Sequence, residues 1–231
     1  MRIAVALVLT AMCVSPVAAQ TRRPLPATAS AATSISFRPF VVVSGQHFTA
    51  SQTFDAVFAT PPLEPFWGGG LEVAWRSGLF VDVSASRFHK DGQRVFVSNG
   101  QAFPLGTRLT ATITPFEVMG GYHFPMTRRA GPRSTTRVRS RVTPYVAGGF
   151  SRVAYSEVSQ FTDAAENVDT PGFGVAVVGG AEVRVHKWIS ISGDVEYTRV
   201  TGILGTGGAS KEFGETDIGG TSVRVRVLVG R

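Results

Sequence analysis

The stretch SVRVRVLV, residues 222–229, decides the fold, because its two faces have opposite chemistry. Val223, Val225, Val227 and Val229 take the odd positions; Ser222, Arg224, Arg226 and Leu228 take the even ones. A period of two is that of an extended strand, so one face is aliphatic and the other carries two guanidiniums. The alternation recurs upstream. Ile189, Ile191, Val195 and Tyr197 oppose Ser190, Ser192, Asp194, Glu196 and Thr198, and Phe173, Val175, Val177, Ala181, Val183 and Val185 oppose Gly174, Gly180, Glu182, Arg184 and His186. Trp67, Leu71, Val73 and Trp75 oppose Gly68, Gly70, Glu72 and Arg76, while Leu79, Val81, Val83 and Ala85 oppose Asp82, Ser84 and Ser86. Ser36–Ser44, Leu109–Phe124 and Thr143–Tyr155 complete a count of eight, despite Pro39, Pro115 and Pro144. Dense glycine and β-branched residues without a 3.6 period argue against helices in these segments.

The connections add a sidedness. Gly45–Pro65, Asp91–Thr107, Glu157–Pro171 and Val200–Thr216 read as long, whereas Ser77–Gly78 and the turn around His186–Trp188 are short. Consecutive antiparallel strands place alternate connections at one end, so the four long ones share an end. Pro125–Val142 is the long exception at the other. Short turns at one end and long loops at the other are the pattern of an up-and-down membrane barrel. Trp67 and Trp75 lie on one face, and at ~3.3 Å per residue with a ~45° tilt they stand ~19 Å apart along the membrane normal, near the ~25 Å apolar band. The competing architecture is a soluble sandwich or lipocalin-like barrel, in which the aliphatic face would be the core. The expected fold is therefore all-β: an eight-stranded antiparallel up-and-down transmembrane β-barrel over residues 35–231.

The amino terminus follows a different logic. Arg2 precedes an apolar run from Ile3 to Val14, and Val17-Ala18-Ala19 ends in residues that signal peptidases accept. Residues 1–19 read as a signal peptide and 20–34, QTRRPLPATASAATS, as a flexible leader. Met12 before Cys13 argues against a lipoprotein signal, and Cys13 is the single cysteine of the 231 residues. Charged residues make up 17% of the chain, below the roughly 25% of soluble domains, and disulfide scaffolds, collagen and coiled coils are excluded.

If the polar faces line the lumen, Glu72, Asp82, Glu117, Glu182, Asp194 and Glu196 stand there against Arg76, Arg184, Arg224 and Arg226, with Arg38 as a fifth cation. An eight-stranded interior is narrow enough for side chains to fill. Guanidiniums suit it because their planar fork pairs bidentately with carboxylate and remains charged in a dry site. The same carboxylates could support acid–base chemistry only with a substrate path.

Three stretches resemble small outer-membrane β-barrel proteins of the OmpA/OmpX-like kind. GFGVAVVGGAEVRVHKWISISGDVEYTR, residues 172–199, is similar to their penultimate hairpin, Pro144-Tyr145-Val146-Ala147-Gly148-Gly149 to the opening of their fifth strand, and SVRVRVLVGR to their closing strand. The resemblance covers roughly residues 35–231. It implies a monomer in the outer membrane of a diderm bacterium, with outer-membrane lipids and the barrel-assembly machinery as partners. The family commonly ends in an aromatic that this machinery reads, whereas this chain ends Val229-Gly230-Arg231.

Enzymes occur on such scaffolds, among them lipid A-modifying enzymes and omptin proteases. Of His47, His89, His123 and His186, none sits in an arrangement like the deacylase motif. Ser86 and His89 differ by an odd number and point apart on a strand, which removes a Ser86–His89–Asp91 set. No clustered ligand set implies a metal, Gly205-Thr206-Gly207-Gly208 lacks the Lys-Ser/Thr of a phosphate loop, and no cofactor is implied. The formal charge of +7 is unevenly placed: Arg128, Arg129, Arg133, Arg137, Arg139 and Arg141 all fall within Pro125–Val142. For an exported protein the anionic partner of such a run is a lipid headgroup or cell-wall polymer in preference to nucleic acid, and a merely solvated turn is the alternative.

These features point to an outer-membrane barrel with a filled polar lumen, serving envelope integrity or surface recognition through its long loops. A lipid A-modifying or proteolytic enzyme and a narrow porin-like channel are the alternatives, and the sequence names no extracellular ligand. Amino-terminal analysis of envelope-purified protein should begin at Gln20; an intact Met1 would refute export by cleavage.

Overall fold

The computed structural model describes residues 35–58, 63–129, 137–139, 141–159, 168–205 and 208–230. The expected signal peptide and leader, residues 1–34, lie outside the described residues.

Eight long strands close on themselves: β1 (Ile35–Phe48), β2 (Glu64–Trp75), β3 (Leu79–Ser98), β4 (Gln101–His123), β7 (Val142–Ser159), β8 (Val168–Arg184), β9 (Ile189–Val200) and β10 (Ile218–Val229). Each pairs antiparallel with its neighbours in sequence, and β1 pairs with β10 to shut the barrel. A short pair, β5 (Thr127–Arg129) and β6 (Arg137–Arg139), forms its own two-stranded sheet between β4 and β7. Two short helices, α1 (Ser51–Phe58) and α2 (Gly208–Glu212), precede β2 and β10. Among the described residues no helix is long and apolar enough to cross a membrane.

Burial along β10 settles which face looks inward. Val223, Val225 and Val229 are 50–54% exposed, while Arg224 and Arg226 are 7% and 2% exposed. A soluble barrel would bury the valines, so the aliphatic face is the outer wall. On β8 that wall runs outward-facing from Phe173 to Val183, ~23 Å along the normal at ~3.3 Å per residue and a ~45° tilt. Exposed aromatics mark both margins, with Trp67, Phe116, Phe150, Phe173 and Tyr197 at one and Phe37, Phe124 and Trp188 at the other.

Several sequence expectations are corrected. Asp91–Thr107 is no loop: β3 and β4 continue as a hairpin in which Ser98 faces Gln101. The turn residues Asn99 and Gly100 both have positive φ, 51° and 75°, which an Asn-Gly pair tolerates and a two-residue hairpin turn requires. β7 and β8 likewise extend into the expected connection Glu157–Pro171, and the two other long connections contain the helices. The spacing of Phe54, Val57 and Phe58 was the local helical signal.

The strands reverse polarity as they rise. On β3 the outward series Val81, Val83, Ala85 becomes Arg87, His89, Asp91, while the inward series Asp82, Ser84 becomes Phe88. On β4 the outward Phe116 and Val118 give way to Thr114, Thr112 and Arg108, and the inward Glu117 gives way to Ile113, Ala111 and Leu109. One part of the barrel is thus apolar outside and charged inside, and its continuation through residues 87–91 and 108–114 is polar outside and largely apolar inside.

Because every barrel strand is hydrogen-bonded on both sides, the folded protein should resist sodium dodecyl sulphate and migrate differently before and after boiling. Identical migration would contradict closure.

Candidate functional site

The charged belt is built from register. Antiparallel pairing sets Arg38 opposite Glu72 on β1 and β2, and Arg224 opposite Asp194 on β10 and β9. Inward glycines leave room for large inward rings: a Cβ at Gly70 would come within 2.6 Å of Phe40 Cζ, and one at Gly121 within 2.3 Å of Phe80 Cζ.

Three guanidiniums serve six carboxylates. Arg224 Nε lies 2.6 Å from Asp194 Oδ1, its Nη1 donates to Glu196, and the same nitrogen is 3.6 Å from Glu117 Oε2. Arg226 Nη1 donates to Asp82 Oδ2 at 3.0 Å, and its Nε lies 3.1 Å from Ser192 Oγ and 3.3 Å from Asp194 Oδ2. Its guanidinium also sits over Phe40 and Tyr145, 5.2 and 5.1 Å from the ring centroids. Arg38 spans Glu72 at 3.1 Å and Glu182 at 2.6 Å. Neutral donors complete the carboxylates: Tyr145 to Asp194, Thr198 to Glu196 at 2.9 Å, and Ser84 Oγ 3.5 Å from Glu117. A buried carboxylate is tolerated where such donors replace its water shell.

Of the residues expected in the lumen, Glu72, Asp82, Glu117, Glu182, Asp194, Glu196, Arg224 and Arg226 are brought together and buried, with Arg38 half-buried beside them. Arg76 and Arg184 are not. Both are exposed at the short-turn end and form no ion pair among the described residues, because each stands at the end of its strand, where the barrel has opened. Sequence reasoning missed Tyr145 and His123; the latter is 7% exposed and has Nε2 3.4 Å from Glu72. Inward parity of β4 places His123 with Glu117 and Met119, which was the available signal. In the Arg-rich connection, Arg133 and the side chains of Arg128, Arg129, Arg137 and Arg139 lie outside the described residues, while Arg141 is exposed.

Beyond the belt the interior is apolar, which corrects the expectation of a wholly polar lumen. Phe48, Phe66, Phe88, Leu109, Ile113, Val153, Val200 and Ile218 form one cluster with Phe54 and Phe58 of α1. Phe54 stacks on Phe48 at 3.9 Å, and Phe58 meets Phe88 edge-on at 5.9 Å. Each fully buried ring contributes about 1.5–3 kcal/mol. α1 is pinned from 162 residues away: Glu215 Oε2 accepts from the Thr53 backbone N–H at 2.8 Å and from its hydroxyl at 2.6 Å, and Glu215 Oε1 accepts from Gln52 N. A carboxylate there satisfies orphan donors and meets the positive end of the helix dipole. Lys90 joins Glu64 at 2.9 Å and lies over Phe58. On the outer surface of this region, hydrogen bonds from Arg108 and Thr110 hold the Asp91 carboxyl below its ordinary pKa. Burial, with Glu157 beside it, pushes the Tyr155 hydroxyl up.

Ser86 lines the interior, whereas His89 is exposed and shares a 3.0 Å hydrogen bond with Thr112. Asp91 is engaged by Arg108. The three residues therefore do not converge. Among the described residues no group of His, Cys, Asp and Glu is placed to hold a metal ion.

The family model of the outer membrane protein beta-barrel domain matches residues 4–228. Among solved structures, Ail, the attachment invasion locus protein of Yersinia pestis in complex with the heparin analogue sucrose octasulfate, superposes with a TM-score of 0.50 at 10% identity. The match covers 85% of this chain and 99% of that one. Neisserial surface protein A gives 0.44 at 13% identity, over 84% and 96% of the two chains. The N-terminal β-barrel domain of Pseudomonas aeruginosa OprF gives 0.40 at 9% identity, over 83% and 96%. No curated protein matches the chain.

Truncating Arg224 leaves Glu117 and Glu196 without a guanidinium in a desolvated interior and leaves Asp194 with Arg226 alone. Arg224→Leu should destabilise the barrel by about 3–5 kcal/mol in reversible urea unfolding from micelles, whereas Val225→Leu on the outer wall should stay within about 0.5 kcal/mol. The reverse ranking would overturn the importance of the belt.

Proposed function

Because the chain belongs to the outer membrane protein beta-barrel domain family and is a small integral outer-membrane barrel of the OmpA/OmpX type, we propose that it serves a Gram-negative envelope as a monomer with two tasks. The lipid-facing part contributes envelope integrity, and the extension that carries α1 and α2 faces the exterior as a platform for surface recognition. The observation that carries this reading is the reversal of polarity along the strands. A wall of Val83 and Phe116 suits acyl chains, and a wall of Arg87, His89, Asp91 and Arg108 suits water.

In this reading the lumen is filled and does not conduct. What supports it is the enclosed space beside Asp82, Glu117 and Arg224, about 40 Å³, room for very few waters at roughly 10–15 Å³ each. The protein is assigned no catalysis, in keeping with the separation of Ser86, His89 and Asp91 and with carboxylates engaged by guanidiniums. Export follows cleavage after Ala19, and the barrel-assembly machinery inserts the barrel. Its lasting partners are outer-membrane lipids and whatever the exterior platform recognises; nucleic acid is not among them.

Sidedness is testable because the mature chain contains no cysteine. Gln101→Cys at the β3–β4 hairpin should react with a membrane-impermeant maleimide on intact cells, and Ser77→Cys only after the outer membrane is permeabilised. The opposite order would invert the proposed orientation and move recognition to the short-turn end.

A further inference from the structure

The short-turn end of the barrel opens into a cavity of about 510 Å³, lined by Arg76, Arg141, Arg184, His186 and Lys187. Its one acidic lining residue, Glu182, is held by Arg38 at 2.6 Å. Backbone bonds assemble this mouth: His123 N donates to Gly78 O at 2.8 Å, Arg184 N to Arg141 O at 2.9 Å and Gly230 N to Trp188 O at 2.9 Å. Four permanent cations besides Arg38 are gathered around one concavity, and Arg76 and Arg184 have no carboxylate partner among the described residues. A second observation is independent of the charge. His123, buried at 7% exposure, also lines the cavity, and its Nδ1 has no hydrogen-bond partner among the described residues.

We propose that this mouth binds a phosphate-bearing anion. Guanidinium forks match phosphate oxygens bidentately, and lysine adds a point charge. Several cations converging on one space call for a ligand with more charge-bearing oxygens than a single carboxylate presents, and the volume falls within the roughly 300–1,000 Å³ of small-ligand sites. The phosphate has two chemical sources, a lipid headgroup or a soluble phosphate ester. The outer wall favours the lipid. An apolar groove lined by Trp75, Leu79, Val81, Gly120, Tyr122 and Val146 runs beside the same rim, with Trp75 common to groove and mouth and Ser77 next to Gly78 between them. A headgroup in the mouth leaves an acyl chain at hand for that groove. This inference does not depend on which side of the membrane the mouth faces.

The test uses the full barrel in neutral detergent, with phosphatidylglycerol, diacylglycerol and glycerol phosphate as probes. Binding is read by native mass spectrometry and by tryptophan fluorescence. Phosphatidylglycerol should bind and diacylglycerol should not. The double variant Arg76→Gln/Arg184→Gln should weaken binding by about tenfold or more, while Arg87→Gln on the opposite, polar extension should change it less than about twofold. Neither change touches the belt, so all variants should keep the heat-dependent gel shift that reports folding. Displacement of the lipid by millimolar glycerol phosphate would assign the site to soluble esters; no displacement would assign it to the lipid headgroup. Failure of both phosphate probes to bind would overturn the proposal. So would wild-type affinity in the double variant, or an equal loss in Arg87→Gln, which would reduce the effect to net charge.

Discussion

The structure depends on three guanidiniums satisfying six carboxylates inside a closed sheet. Lipid against the outer wall denies the strands any polar exterior over the apolar band, so their polar faces must turn inward and neutralise one another there. Arg224 and Arg226, two residues apart on β10, do this from one strand and reach carboxylates contributed by β3, β4 and β9. Arg38 performs the same task near the opening, between β2 and β8. Closure and charge pairing are thus mutually dependent, since an open sheet would leave Arg226 and Asp82 on strands that never meet.

Above the belt the same strands solve a different problem. Once the wall faces water, the inward positions no longer need charge, and aromatic rings take over with α1 folded in among them. Glu215 and Thr53 connect the first long connection to the last, so two segments distant in sequence are tied into one cap. A cap built this way gives this end of the barrel fixed order. Among the described residues the opposite end has no such plug and is cationic where the cap is apolar. The two mouths therefore differ in chemistry.

Much of this was legible in the chain. Alternation in SVRVRVLV marks a strand with an aliphatic and a charged face, and eight such segments with asymmetric connections define an up-and-down barrel. The change from Val81 and Val83 to Arg87 and His89 is also local, and was available as a sign of where the apolar band ends. So was Asn99-Gly100, whose tolerance of positive φ makes a hairpin of what otherwise reads as a loop. Each of these follows from a residue's own geometry or solvation, which needs no partner to be defined.

Pairing and depth were decided elsewhere. That Arg224 serves Asp194, Glu196 and Glu117 together, or that Arg226 crosses to Asp82 from 144 positions away, depends on strand register and barrel closure. The two-residue period places Arg76 and Arg184 on the inward face, as it does Arg224. Only the tertiary structure shows that they lie past the end of the enclosed interior, where the cation meets water and needs no carboxylate. Periodicity determines the direction in which a side chain points, whereas the dielectric it points into is a property of the closed barrel.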